Sequence, residues 1–175
     1  KVKPEWTNLT GKALKPADEN LPYVIKNILV PINAQKGDSL PVSAFKGMED
    51  GTMPLGTSRY EKRGIATHLP VWDAAECLQC NMCSLVCPHA VIRPFLLDAR
   101  EAENAPAGMT VVDAKGIKDA RYTMGVSTLD CTSCGSCVAS CPKSGKALKM
   151  VPAHEVSLDQ TNWNYLTAVT EKKVD

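Results

Sequence analysis

The chain has 175 residues, of which 44% are hydrophobic and only 5% aromatic, and its formal net charge is +1. This near-neutral balance lacks the basic excess that attracts nucleic acid or an anionic membrane surface, so we expect neither as a partner. No apolar run approaches the length that spans a bilayer, and the N-terminus has no signal-peptide pattern. We therefore expect a cytoplasmic location and, since the chain begins at Lys1, a segment of a longer protein.

Residues 1–66 are predicted to be a linker segment with one helix and an extended strap. Pro31 should kink or end the helix, and Gly37 is a plausible stop. From Asp38 to Gly64 the content of Pro, Gly and Ser indicates an extended strap lying over a neighbour. The apolar residues that recur at the spacing of one helix face are Leu21, Val24, Ile25, Ile28 and Leu29.

All eight cysteines follow this segment, in two identical patterns that begin at Cys77 and Cys131. Each pattern is C-x-x-C-x-x-C-x-x-x-C-P, and the two are offset by 54 residues. Strand-like runs precede the patterns at 69–72 and 126–129 and follow them at 90–92 and 147–151. The repeat predicts internal pseudo-two-fold symmetry.

The repeat defines a predicted domain over residues 67–155, with an insertion at 93–125 and a C-terminal linker at 156–175. The insertion contains a helix-like stretch near 98–104 and an alternating run near 110–114, and it should cover one side of the cysteine core. The predicted fold class is α+β, a ferredoxin-like domain for two [4Fe–4S] clusters preceded by the strap and helix.

Three kinds of chemistry compete for the cysteines. Disulfides suit secreted chains, and nothing indicates secretion. Zinc uses pairs of C-x-x-C ligands, but it does not account for the third cysteine, the fourth after three residues, and the proline. The bacterial iron–sulfur run has this spacing, and its fourth cysteine binds the other cluster in two-cluster proteins. We therefore predict one cluster on Cys77, Cys80, Cys83 and Cys141, and the other on Cys131, Cys134, Cys137 and Cys87.

Two adjacent clusters make a path for electrons. The glycine of the second pattern, Gly135, suits a left-handed turn close to a cluster. The sequence contains no phosphate loop or nucleophile elbow, and we predict no catalytic residue.

The residues upstream of the repeat resemble a known family. Residues 55–66, LGTSRYEKRGIA, resemble the Glu-Lys-Arg signature of pyruvate:ferredoxin (flavodoxin) oxidoreductases, in which it precedes a domain with two [4Fe–4S] clusters. Residues 33–38 and 40–45 are also similar to that family. The resemblance extends from about Leu21 to Val151.

The resemblance implies a large homodimeric parent enzyme that decarboxylates pyruvate oxidatively and joins the acetyl group to coenzyme A. Thiamine diphosphate, Mg²⁺ and a third [4Fe–4S] cluster would lie in its other domains. Its electrons would leave through the clusters to ferredoxin or flavodoxin. Of the functional residues of the family, the resemblance assigns only the cluster-binding cysteines to this chain, at its eight cysteine positions.

Two points stay open at this stage. Glu61, Lys62 and Arg63 would either tie the segment to neighbouring domains through ion pairs, which we favour, or contact a cofactor such as coenzyme A. The alternatives for the whole chain are a ferredoxin-like electron-transfer subunit of another 2-oxoacid oxidoreductase or of a hydrogenase, and a zinc-binding structural module.

Overall fold

The computed structural model describes residues 20–157 and 160–172. The chain divides into two compact units, residues 1–61 and 62–175. Of the predicted linker 1–66, residues 1–19 lie outside the described residues. No helix in the described part of the chain is long and apolar enough to cross a membrane.

The first unit contains the predicted helix. Its backbone is π-helical over Ile25–Leu29 and continues as α1, Val30–Asn33. The five predicted face residues are all buried or half-buried, which confirms the face: Leu21, Val24, Ile25, Ile28 and Leu29.

The end of this helix differs from the prediction. The helix continues past Pro31, which has no N–H, and a π-helical stretch lies directly before it. The last turn closes when Lys36 N–H donates to the Pro31 carbonyl (2.8 Å) and Ala34 N–H to that of Val30 (3.0 Å). The left-handed residue that ends the helix is Gln35 (φ 59°), so the prediction of Gly37 as the stop is wrong.

After this helix, the described residues of the first unit form turns. Among these residues the regular elements are three 3₁₀ turns, Gly37–Ser39, Val42–Phe45 and Thr57–Tyr60. Several apolar side chains are open to solvent, among them Leu55 (100% exposed) and Val42 (90%). That this strap covers a neighbour stays a prediction.

The second unit contains two small antiparallel sheets. In one, β1 (His68–Trp72) pairs with β5 (Leu148–Pro152). In the other, β4 (Arg121–Val126) lies between β2 (Ile92–Leu97) and the two-residue β3 (Val112–Asp113). The strand before each cysteine pattern therefore pairs with the strand after the other pattern.

Two of the predicted strands are displaced. The run at 126–129 is a turn after Val126, because Cys131 and Asp130 N–H groups both donate to the Ser127 carbonyl. Of the run at 90–92, only Ile92 belongs to a strand, because Ala90 has a left-handed backbone (φ 51°) and β2 begins at Ile92. The runs at 69–72 and 147–151 correspond to β1 and β5, which confirms them.

The predicted insertion, 93–125, is a long hairpin. Its strands β2 and β4 pair in register from Ile92–Val126 to Leu97–Arg121, and residues 98–120 connect them. The helix α3, Ala99–Glu103, lies where a helix is predicted. Asp98 caps it by accepting from Glu101 N–H (2.8 Å), while the Glu101 carboxylate accepts from Asp98 N–H (2.9 Å).

A further helix, α5 (Thr161–Ala168), lies in the segment predicted as a C-terminal linker. It packs on β4, with Leu166 fully buried. At Gly125 a Cβ atom would come within 2.8 Å of both Leu166 Cδ1 and Phe95 Cε2. The contact between β4 and α5 therefore depends on a residue without a side chain.

Candidate metal centre

The cysteines lie on two loops with matching backbone geometry. We call residues 77–87 the first loop and residues 131–141 the second loop. Each contains a short helix, α2 (Met82–Leu85) or α4 (Ser136–Ala139), and the two helices lie against each other. The bounds of the second loop and of α4 lie 54 residues after the bounds of the first loop and of α2.

Left-handed residues shape both loops at equivalent positions. In the first loop they are Gln79 (φ 58°) and Asn81 (φ 59°), and in the second Ser133 (φ 63°) and Gly135 (φ 75°). The expectation for Gly135 is confirmed. A left-handed conformation is uncommon without glycine, although asparagine tolerates it well. The other three positions were therefore missed by sequence reasoning, which looked for glycine.

Backbone N–H groups point at cysteine sulfurs. Gln79 N–H donates to Cys77 Sγ (3.3 Å), and Ser133 N–H donates to Cys131 Sγ (3.4 Å). A third bond runs from Val91 N–H to Cys87 Sγ (3.4 Å). Hydrogen bonds to the sulfurs stabilise bound thiolates and are one of the factors that set the potential of an iron–sulfur cluster.

Four cysteines surround one cavity, and we call them the first group. This cavity is small, with about 20 Å³ of room for water, and its other lining side chains are mainly apolar. The pKa of the Cys83 thiol is raised to about 11, mainly by burial and in smaller part by the thiols of Cys77, Cys137 and Cys141. The first group consists of Cys77, Cys80, Cys83 and Cys141.

The other four cysteines also influence one another, and we call them the second group; one of them, Cys137, acts on Cys83 of the first group as well. Burial raises the pKa of Cys137, and the thiols that raise it further are Cys131, Cys87 and Cys134. The pKa of Cys131 is likewise raised by burial and by Cys134 and Cys87. Cys87, the last cysteine of the first loop, thus faces the second loop.

All eight cysteines are free, which excludes disulfides among them in this structure. Within the described residues, no three His, Cys, Asp or Glu side chains come together closely enough to hold one metal ion.

The insertion holds the first loop from outside. Gln79 Nε2 donates to the Asp113 carbonyl (2.8 Å), and Lys115 Nζ donates to the Cys77 carbonyl (2.7 Å). The Tyr122 hydroxyl donates to Asn81 Oδ1 (2.8 Å). The prediction that the insertion covers one side of the cysteine core is confirmed by these contacts.

Different residues hold the second loop. Ser133 Oγ accepts from His68 N–H at the start of β1 (3.0 Å). Lys62 forms an ion pair with Asp130, and Gly64 N–H donates to the Leu129 carbonyl (3.0 Å). Lys62, the middle residue of the Glu-Lys-Arg triplet, thus has its ion pair within the same unit, directly before Cys131.

The protein fits two iron–sulfur clusters by three independent observations. The donor set is two groups of four thiols, and backbone N–H groups point at three of the sulfurs. Trp72 lines the cavity of the first group, and its indole Nε1 is buried with no hydrogen-bond partner. An unsatisfied buried donor costs about 1–3 kcal/mol, and a cluster sulfur is an acceptor of the right kind.

Comparison with known protein families identifies two domain families in the chain. Residues 73–145 match the 4Fe-4S dicluster domain family, and residues 11–66 match EKR, a domain of unknown function. The chain therefore contains a ferredoxin-like domain for two [4Fe–4S] clusters, with the EKR domain before it.

The individual relatives are named as oxidoreductases or dehydrogenases of pyruvate. The chain is 50% identical over 171 residues to a pyruvate-flavodoxin oxidoreductase of Enterobacter agglomerans, covering 95% of this chain and 14% of that protein. It is 45% identical over 173 residues to a pyruvate:ferredoxin oxidoreductase of Moorella thermoacetica, covering 97% of this chain and 14% of that protein.

A third relative, named pyruvate dehydrogenase [NADP(+)], comes from Cryptosporidium parvum, with 45% identity over 96% of this chain and 9% of that protein. The chain is thus homologous to the dicluster segment of pyruvate oxidoreductases, and it spans about one seventh or less of the length of these relatives.

Proposed function

We propose that this chain is the electron-relay segment of a pyruvate:ferredoxin or pyruvate-flavodoxin oxidoreductase. The observation that carries the proposal is the homology of 95% of the chain to this segment in the relatives, together with two groups of four free cysteines. When bound, each cluster accepts and passes on one electron at a time. The chain's own residues hold the clusters close together.

The proposed ligands are crossed between the loops. Cys77, Cys80 and Cys83 of the first loop join Cys141, and Cys131, Cys134 and Cys137 of the second loop join Cys87. The shared cavity of the first group and the mutual pKa effects of the second support this assignment. Crossing makes each cluster a covalent tie between the two halves of the domain.

We propose that the two halves are related by a pseudo-two-fold axis. The matching left-handed residues and the equivalent N–H bonds to Cys77 and Cys131 support it. The proposed boundaries are a linker and strap at 1–66, the cluster domain at 67–155 with an insertion at 93–125, and a C-terminal linker at 156–175.

The remaining parts of the reaction belong to the rest of the parent protein. Thiamine diphosphate, Mg²⁺ and a third [4Fe–4S] cluster are proposed for its other domains, where pyruvate and coenzyme A would react. Ferredoxin or flavodoxin is the proposed acceptor, and the proposed parent is a cytoplasmic homodimer. A reducing compartment suits eight free thiols.

The first experiment tests the relay. The full-length protein that contains this segment is studied anaerobically by EPR, before and after pyruvate and then coenzyme A, with dithionite as the positive control. We expect reduced-cluster signals with magnetic coupling between neighbouring clusters. Clusters that dithionite reduces and pyruvate never does would show that the parent is a different oxidoreductase.

A second experiment tests the crossed ligands. Four single variants, Cys83→Ala, Cys141→Ala, Cys87→Ala and Cys137→Ala, are compared by EPR of the partly reduced full-length protein. Crossing predicts that Cys83 and Cys141 variants lose the same signal, and that Cys87 and Cys137 variants lose the other. If Cys87 and Cys83 variants instead lose the same signal, each loop holds its own cluster.

Metal analysis tests the zinc alternative directly. The eight cysteines of this segment should contribute about eight iron and eight acid-labile sulfide ions to the total for the full-length protein. Variants that lack either group should each lower both numbers by about four. Stoichiometric zinc in place of iron and sulfide would overturn the proposal.

A further inference from the structure

Trp72 is the last residue of β1 and lines the same cavity as the first cysteine group. Its indole Nε1 is buried and has no hydrogen-bond partner among the protein atoms. It is also the one buried side-chain N or O atom without a partner among the described residues.

The indole ring packs on a residue that is itself bound to the first loop. The ring meets that of Tyr122 edge to face, with centroids 6.0 Å apart and planes at 60°. The Tyr122 hydroxyl donates to Asn81 Oδ1 in the first loop. The contact with Tyr122 therefore joins the indole to the loop that carries Cys77, Cys80 and Cys83.

The second group has no such donor at the equivalent position. Val126 stands 54 residues after Trp72 and, like Trp72, is the last residue of the strand before a cysteine loop. Its side chain is a hydrocarbon. The two halves share the N–H bonds to Cys77 and Cys131, but the indole N–H of Trp72 has no counterpart at Val126. The second group has its own extra contacts, from Val91 N–H to Cys87 Sγ and between Cys134 Sγ and Ser136 Oγ (3.6 Å).

We propose that the Trp72 indole N–H donates a hydrogen bond to a sulfur of the first cluster and so raises the reduction potential of that cluster. This inference rests on the proposed ligand assignment. Reduction adds one negative charge to the cluster, and a donor aimed at its sulfur stabilises the reduced form more than the oxidised form. Trp72 is a tuning residue and exchanges no electron itself.

The test compares two tryptophan-to-phenylalanine variants in the full-length, cluster-loaded protein. Trp72→Phe keeps an aromatic ring in the cavity wall and removes the N–H. Trp163→Phe is the matched control, because Trp163 packs on Phe95 and Arg93 and does not line the cysteine cavity. EPR-monitored redox titrations give the midpoint of each cluster.

For Trp72→Phe we expect one midpoint to fall, with the reduction equilibrium about tenfold less favourable, a shift of about 59 mV for a one-electron couple. The other midpoints, and all midpoints of Trp163→Phe, should not move. A loaded Trp72→Phe protein with unchanged midpoints would overturn this inference and leave the proposed relay intact.

A direct readout covers the case in which Trp72→Phe fails to load its clusters. Protein grown with tryptophan labelled with ¹⁵N at the indole position is partly reduced and measured by pulsed EPR. We expect a ¹⁵N coupling to a reduced cluster in the unmodified protein and in Trp163→Phe. If the unmodified protein shows no such coupling while its clusters are reduced, the inference is wrong.

Discussion

Asn81 and Gly135 take the same left-handed backbone conformation at equivalent points of the two cysteine loops, with φ of 59° and 75°. In both loops the residue begins a short helix, and its carbonyl accepts from the N–H three residues on, at 3.0 Å. The conformation, and not glycine itself, is therefore what the loop requires.

This relationship predicts which substitutions Gly135 tolerates. Gly135→Val should weaken the second loop by about 1–2 kcal/mol, because a β-branched residue resists a left-handed backbone. Gly135→Asn should be well tolerated, since Asn81 already fills the equivalent position and no atom lies within 4 Å of a Cβ at Gly135. The measurement is the rate of iron loss to a chelator. Equal rates for the two variants would contradict the prediction.

The ion pair of Lys62 and Asp130 should stabilise the entry to the second loop. Lys62→Met is expected to cost about 1 kcal/mol, because both side chains are about a quarter exposed (29% and 26%) and Asp130 Oδ2 also accepts from the Ser127 hydroxyl (2.6 Å). Hydrogen exchange of residues 127–131 in the full-length protein measures the effect.

A more exposed ion pair serves as the control for that variant. Lys143 Nζ lies 3.9 Å from Glu76 Oε2, with side chains 42% and 45% exposed, so Lys143→Met should change local exchange little. If Lys62→Met leaves exchange of residues 127–131 as slow as before, the ion pair has no structural role there.

Lys172 should tie the end of the described chain to α3 through Glu101. Lys172 Nζ donates to Glu101 Oε1 (2.6 Å), and this bond is the main reason that the pKa of Glu101 lies below its usual value of 4.5. A lowered folded-state pKa stabilises the fold above the ordinary value and loses that effect as pH falls through the folded value.

Lys172→Met should therefore speed hydrogen exchange in α3, Ala99–Glu103, by the same factor at pH 7 and pH 5.5 after correction for intrinsic exchange. Lys149→Met is a suitable control, because Lys149 is an exposed residue of β5. If the acceleration of exchange by Lys172→Met is already smaller at pH 5.5 than at pH 7, the pKa of Glu101 is not lowered, which would contradict the direction of its shift.

Gly125→Ala should loosen α5 from β4. The new methyl group would lie 2.8 Å from both Leu166 and Phe95, and overpacking of this kind costs about 1–3 kcal/mol. Exchange of the α5 amides reports the effect. Gly37→Ala is the control, since its nearest neighbour would be at an ordinary 3.6 Å, and no change in the α5 amides is expected from it.

Sequence reasoning was most successful where a local chemical pattern decides the structure. The cysteine spacing led to the dicluster class, and the apolar face at Ile25 and Ile28 led to the first helix. The helix-like stretch near 98–104 was also found, and in the structure Asp98 and Glu101 cap its first turn.

It was less successful where distant residues decide the structure. Strand β4 runs over Arg121–Val126 because it pairs with β2 at the other end of the same insertion, and the predicted run at 126–129 missed this strand. The unpaired Trp72 N–H has no signal in the sequence, since only the packed fold shows that it is buried without a partner.

The pairing of β1 with β5 has a consequence for synthesis. His68–Trp72 emerges from the ribosome first and meets its strand partner only after Leu148–Pro152 has also emerged. In the proposed ligand set the first cluster likewise waits for Cys141. Three thiols of the first loop are therefore left open to oxidation or to the wrong metal for as long as the intervening residues take to be made, and the cell must keep them reduced during that interval.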